Sequence, residues 1–189
     1  MKKNSLIIIG VVVGILLLLG VLIGGSYNSL VTLEEKVNKE LSNVDVMLER
    51  RADLIPNLVS TVKGYAKHEE KIFNDVVTAR EKLLGANTIS EKADANAKLD
   101  KAIDAMMVIV ENYPDLKASQ NFIQLSDELA GTENRIATAR RDYNEAVEIY
   151  NSKRKQFPTV ILANMFGFDE KEYFKADDSK TEVPNVEFE

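Results

Sequence analysis

The sequence predicts an all-α protein: an N-terminal transmembrane helix followed by an antiparallel up-and-down four-helix bundle with long helices. Three observations predict it. Residues 6–23, LIIIGVVVGILLLLGVLI, carry no charged or polar side chain. Beyond them, apolar residues recur in steps of three and four over most of the chain. The 189 residues include no Cys, no Trp, four Pro and nine Gly, so helix breakers are few.

The apolar run comes first. At 1.5 Å per residue it reaches about 27 Å, close to the hydrocarbon thickness of a bilayer. It is longer than the apolar core of a signal peptide, and the GGSYNSL that follows is a poor cleavage site, so it reads as an uncleaved anchor. Lys2 and Lys3 flank it on one side, and the next basic residue on the other is Lys36. That bias places the N-terminus in the cytoplasm and the rest outside, in a periplasm or extracellular space. Gly10 with Gly14, and Gly20 with Gly24, form two G-x-x-x-G pairs suited to close helix contact within the membrane.

Four stripes follow. Leu30, Leu33, Val37, Leu41, Val44 and Leu48 make the first. Leu58, Val62, Tyr65, Ile72, Val76, Ala79 and Leu83 make the second, with Glu69 interrupting. Leu99, Ala102, Met106, Ile109 and Tyr113 make the third. The fourth runs through Phe122, Leu125, Leu129, Thr132, Ile136, Ala139, Tyr143, Ala146, Tyr150 and Phe157, broken at Lys153. Gly85-Ala86-Asn87-Thr88 reads as a loop, with Ser90 as the N-cap of the third helix, and Tyr113-Pro114 ends that helix.

Pro56 admits two readings. Asp53 as a cap puts Pro56 in the first turn of a new helix, with Arg50 and Arg51 ending the previous one. Alternatively one helix continues through Pro56 with a kink, since Leu48, Ala52, Ile55, Val59 and Val62 keep register across it. Length favours the corner. It gives segments of roughly 28, 31, 23 and 41 residues, whereas a continuous helix would run to nearly 60, far above the usual length.

With four antiparallel helices, the last returns to the membrane, so Tyr27-Asn28 and Tyr150-Asn151 are expected at one end. Residues 157–168, FPTVILANMFGF, are uncharged. Such a stretch is not left in water: it inserts at the bilayer interface, packs on a neighbouring protomer, or folds back on the bundle end. The expected organisation is 1–25 as cytoplasmic flank and anchor, 26–157 as bundle, 158–176 as an apolar interfacial or packing segment, and 177–189 as an acidic flexible tail.

Charge and composition exclude several function classes. The net charge is −6, and without Lys2 and Lys3 the remainder carries 22 basic against 30 acidic residues, a net of −8. That repels phosphate backbones, so nucleic acid is not an expected partner. One histidine and no cysteine cannot build the common zinc sites or a two-histidine di-metal bundle. His68-Glu69 is followed by Ile72, so there is no H-E-x-x-H. No catalytic, cofactor-binding or metal residue is expected, and the chain does not read as an enzyme. Asn134, Arg135, Arg140 and Arg141 read as a solvated face with one interhelical hydrogen bond that fixes register.

RRADLIPNLVSTVKGYAKHE, then NYPDLKASQNFIQLSDELAGTENRIATARRDYNEAVEIYN, then FP, NMFGF and EYF resemble the LemA family, in order, over about residues 27–176 together with the anchor. Thr159-Val160 departs from the asparagine-rich pair expected after FP, and the segment before Asp45 is variable. The resemblance implies a single-pass bacterial membrane protein with an antiparallel helical bundle and no established catalytic residues. It also implies membrane-associated assembly, and genes often linked with those of membrane proteases, which suggests envelope quality control.

The function expected is therefore a membrane-anchored helical scaffold that self-associates at the bacterial cell envelope, organising or remodelling membrane. Its partners are the lipid bilayer and further copies of itself. The alternative is an adaptor for another envelope protein, such as a membrane protease or its substrates, using the polar surface near Arg50, Arg51 and His68.

Overall fold

The computed structural model describes residues 2–175; the acidic tail expected at 177–189 lies outside them. The described chain is helical, without strands. α1 is Lys2–Tyr65, α2 Glu70–Leu84, α3 Ile89–Val110, α4 Pro114–Lys117, α5 Gln120–Lys155 and α6 Thr159–Phe166, followed by an extended segment, 168–175. Contacts divide the chain into two compact units. The first holds the chain up to Lys39 together with Glu145–Lys171. The second holds Glu40–Asn144 and the chain from Glu172 onward.

α1 changes character along its length. Residues 8–23 are all exposed, and this is the one helix among the described residues long and apolar enough to cross a membrane. From Leu30 a buried stripe begins: Leu30, Val37 and Val44, then Leu48, Ile55 and Val62, two runs at strict spacings of seven joined by a step of four.

The corner expected near Pro56 does not form; one helix continues through it. Proline has no N–H to give the carbonyl four residues back, so the Ala52 carbonyl loses its helical partner at a buried position. Arg80 on α2 supplies the missing donor, with Nε 2.7 Å from Ala52 O. The break falls later, at residues 66–69, after Gly64 has weakened the helix. Arg50 and Arg51 therefore lie within a helix and do not neutralise a helix end.

In the second unit, α2 contributes Phe73, Val76, Ala79 and Leu83 to the core, and α3 contributes Leu99, Ile103, Met106 and Ile109. Tyr65, expected in the second stripe, is exposed. The N-cap of α3 is Thr88, two residues before the expected Ser90. It forms a capping box in which Glu91 N–H donates to Thr88 Oγ1 at 3.1 Å while Thr88 N–H donates to Glu91 Oε2 at 3.0 Å. Asn87 N–H donates to the same oxygen, and these backbone donors, that of Thr88 first, hold the Glu91 carboxyl below its ordinary range. Pro114 takes the first position of α4, as the Tyr113-Pro114 break requires.

Arg80→Met should cost about 1–3 kcal/mol, because a buried carbonyl loses its donor. Pro56→Ala restores an amide N–H to that carbonyl; alone it should stay within about 1 kcal/mol of the parent. In its background the cost of Arg80→Met should shrink. Denaturant unfolding of the four full-length chains in detergent micelles completes the cycle; an equal cost in both backgrounds rules out this role for Arg80.

Candidate functional site

In the first unit the chain leaves α5 at Lys155, forms α6, and turns at Gly167 into the extended segment. Gly167 is left-handed, φ 74 and ψ 30, a conformation glycine takes without a Cβ penalty; Phe168 N–H closes the turn on Ala163 O at 3.0 Å. Thr159, Leu162, Ala163 and Phe168 are buried, so this side has folded back. Phe157, Ile161 and Met165, at spacings of four, are exposed, together with Phe166; Phe157 keeps 82% and Met165 70% of their accessible surface. The rings of Phe166 and Phe168 meet Tyr27 of α1 edge to face, with centroids 5.2 and 5.6 Å away.

The extended segment has no neighbouring strand, and helix α5 satisfies its backbone with side chains. In the first unit, Arg154 Nε donates to Phe168 O at 2.6 Å and Tyr150 OH to Asp169 O at 2.9 Å. The Asn151 amide is used at both ends: Nδ2 donates to Lys171 O at 2.9 Å, and Oδ1 accepts from Lys171 N–H at 3.0 Å. Lys171 Nζ reaches Glu34 on α1, and Lys155 pairs with Glu170, each at 2.5 Å. The Lys155 hydrogen bond holds the Glu170 carboxyl below its ordinary range. Burial, then the Glu34 carboxylate, pushes the Tyr150 phenol up, against the opposing charge of Arg154.

In the second unit the same pattern repeats. Asn144 pairs through Nδ2 and Oδ1 with the carbonyl and N–H of Phe174, at 2.9 and 2.8 Å. Tyr143 OH donates to Glu172 O at 2.8 Å. Arg140 donates to Lys175 O at 2.9 Å and lies over the Phe174 ring, 4.4 Å from its centroid. Burial, then the Glu172 carboxylate, raises the Tyr143 phenol to about 12. Burial lowers Arg140, with Glu133 and Asp100 opposing.

Sequence reasoning placed Tyr143 and Tyr150 in the core stripe and passed over Asn144 and Asn151. The signal was present: Tyr-Asn recurs after seven residues, which returns both amides to one helix face. Arg140 contributes to this clamp rather than to an interhelical bond, while Asn134, Arg135 and Arg141 are exposed, as a solvated face requires.

A buried polar cluster joining three helices lies elsewhere in the second unit. Arg51, 5% exposed, is not part of a surface. Its guanidinium meets Asp100 at 2.5 Å and Glu133 at 2.8 Å, and donates to Asn96 Oδ1 at 2.8 Å, joining α1 to α3 and α5. The Glu133 contact is an ion pair without hydrogen-bond alignment, and Arg51 Nε has no partner among the described residues. Lys92 and Asp45 pair at 2.6 Å nearby on the same helices. Arg50 is exposed and borders an open groove of about 530 Å³ with Ile123, Asp127, Glu128, Gly131 and Arg135; His68 is exposed in the 66–69 break. Among the described residues no group of three or more His, Cys, Asp or Glu side chains is placed to hold a metal.

The LemA family profile matches residues 40–188. The chain belongs to the LemA family. It is 30% identical to magnetosome protein MamQ 2 of Paramagnetospirillum magneticum, over 79% of this chain and 64% of that protein. It is 28% identical to magnetosome protein MamQ of Magnetospirillum gryphiswaldense, over 78% and 64%. It is 25% identical to protein LemA of Metamycoplasma hominis, over 85% of this chain and 77% of that one. This LemA-family chain thus spans 64% of the length of the MamQ proteins it matches.

Two measurements test the clamp. In Asn151→Ala the Lys171 amide should lose hydrogen-exchange protection, and in Asn144→Ala the Phe174 amide should, each at a cost of about 1–3 kcal/mol in stability. Unchanged protection at both amides would show that the two side chains are dispensable. Second, a phenol whose folded pKa lies above the ordinary value near 10 contributes stability that is present below pH ~10 and lost as pH rises toward about 12. The unfolding midpoint should fall more steeply between pH 10 and 12 in the parent than in Tyr143→Phe.

Proposed function

We propose that this protein is a membrane-anchored scaffold: an antiparallel four-helix bundle carried on α1, self-associating at the bacterial cell envelope and organising or remodelling membrane there. The observation that carries the reading is the continuity of α1. One helix of 64 residues holds an exposed apolar segment of membrane-spanning composition and then the buried stripe of the domain. The apolar segment and the start of the buried stripe thereby belong to one unbroken helix. With Lys2 and Lys3 on the near side, the bundle lies outside the cytoplasm.

Contacts within the second unit support the antiparallel arrangement. Residue numbers climb together where Lys92 meets Asp45 and Asp100 meets Arg51, so α3 follows the direction of α1. α2 turns back after residue 69 and reaches Ala52 through Arg80. Self-association is supported by Gly10, Gly14, Gly20 and Gly24, where a Cβ would meet nothing within 4 Å and the backbone is open to a second helix. The relatives named for the magnetosome and for LemA carry no reaction in their names.

A second reading, as an adaptor for an envelope protein, rests on the open groove beside Arg50. Its Ile123, Asp127, Glu128 and Arg135 offer one apolar and three charged contacts to a partner helix. Co-purification after mild solubilisation separates the two readings: a fixed hetero-stoichiometry favours the adaptor.

Crosslinking of the full-length protein in native membranes should yield discrete homo-oligomers, and Gly14→Leu with Gly24→Leu should weaken them. A protein that stays monomeric in membranes and in mild detergent overturns the scaffold reading.

A further inference from the structure

We infer that the exposed face of α6 is a second membrane contact, seated in the headgroup boundary of the bilayer that α1 crosses; the inference rests on the reading of α1 as an anchor. Ile161 and Met165 form an exposed apolar face of α6, flanked by the exposed Phe157 before the helix and by Phe166 at its end, in a stretch, 157–168, that has no charge. That face is one side of an amphipathic turn, because Thr159, Leu162 and Ala163 face inward. Its level is set by Tyr27. That ring touches Phe166 and Phe168 and sits four residues past Ile23, the last residue of the apolar segment, hence about 6 Å along the axis. Interfacial helices bury their apolar face by about 5–10 Å in the same boundary zone, where tyrosine also concentrates.

Lipid is the occupant favoured over a second copy of the chain. A protein partner would have to cover this face within one helical turn of the hydrocarbon, where lipid is already present at high local concentration. The turn at Gly167 and the Arg154, Tyr150 and Asn151 bonds to the following residues fix α6 from its C-terminal side. The face is therefore presented in a set orientation and does not have to be ordered on binding. The consequence is a tether at two points, a span and an adjacent wedge, in a single unit of the protein.

The chain has no cysteine, so single labels are clean. Ile15→Cys, Lys36→Cys and Met165→Cys variants of the full-length protein would be labelled with an environment-sensitive fluorophore in phosphatidylethanolamine–phosphatidylglycerol vesicles carrying nitroxide lipids. Met165→Cys should lose roughly twofold in emission with the nitroxide near the headgroup, and Ile15→Cys similarly with it deep in the acyl chain, while Lys36→Cys stays unquenched. Quenching at Ile15→Cys with Met165→Cys at the level of Lys36→Cys overturns the α6 contact and leaves the anchor standing. No quenching at Ile15→Cys overturns the anchor, and the α6 inference falls with it.

Discussion

The carbonyl of Ala52 is the point on which the architecture turns. Proline at position 56 withdraws its helical donor, and a buried carbonyl without a partner costs enough to end a helix. Arg80 prevents that by reaching across from α2. Because the helix survives, apolar segment and domain core share one backbone, and the stripe at Leu48, Ile55 and Val62 keeps its phase past the proline.

The same solution recurs along the extended segment. Arg154, Tyr150 and Asn151 in one unit, and Tyr143, Asn144 and Arg140 in the other, donate to main-chain carbonyls of the extended segment. An extended chain with no strand beside it has N–H and C=O groups that must be satisfied somehow. The two asparagine amides do this as a neighbouring strand would, offering one donor and one acceptor to the same residue. Since the bonds go to backbone atoms, they constrain the path of the segment more than its sequence. Specific side chains enter at Phe168 and Phe174, which are buried, and at Lys171 and Glu170, which are paired.

What the sequence disclosed follows from that division. Periodic apolar positions are local, and the stripes of α1, α3 and α5 were legible from them, as was the break at Tyr113-Pro114. The family resemblance, carried by long strings from residue 27 onward, agrees with the profile match. Pro56 was misjudged because its compensating donor lies far along the chain, and nothing within a turn of the proline reveals it. A corner at Pro56 makes Arg51 a helix-end cation, yet Arg51 is three residues from Leu48 and four from Ile55, the spacing of an inward face. Its partners Asp100 and Glu133 become visible only when three helices meet. Ser90 lost to Thr88 because the position of Glu91 decides the cap: three residues after Thr88 it can return a bond to the backbone, and one residue after Ser90 it cannot.

The clamp also explains why a helix as short as α6 exists at all. Eight residues are too few to hold helical structure in water, where nucleation is unfavourable and each added bond gains little. α6 is instead held by its buried side and at its C-terminal end. Its buried side rests on Leu162 and Ala163, and its exit is fixed by Gly167 and the bonded residues beyond it. Phe157, Ile161 and Met165 face outward, and their exposed apolar surface would be a liability if it met only water. The contact of Phe166 with Tyr27 sets that surface beside the segment of α1 whose own composition suits lipid, and the inference of a second bilayer contact rests on that placement.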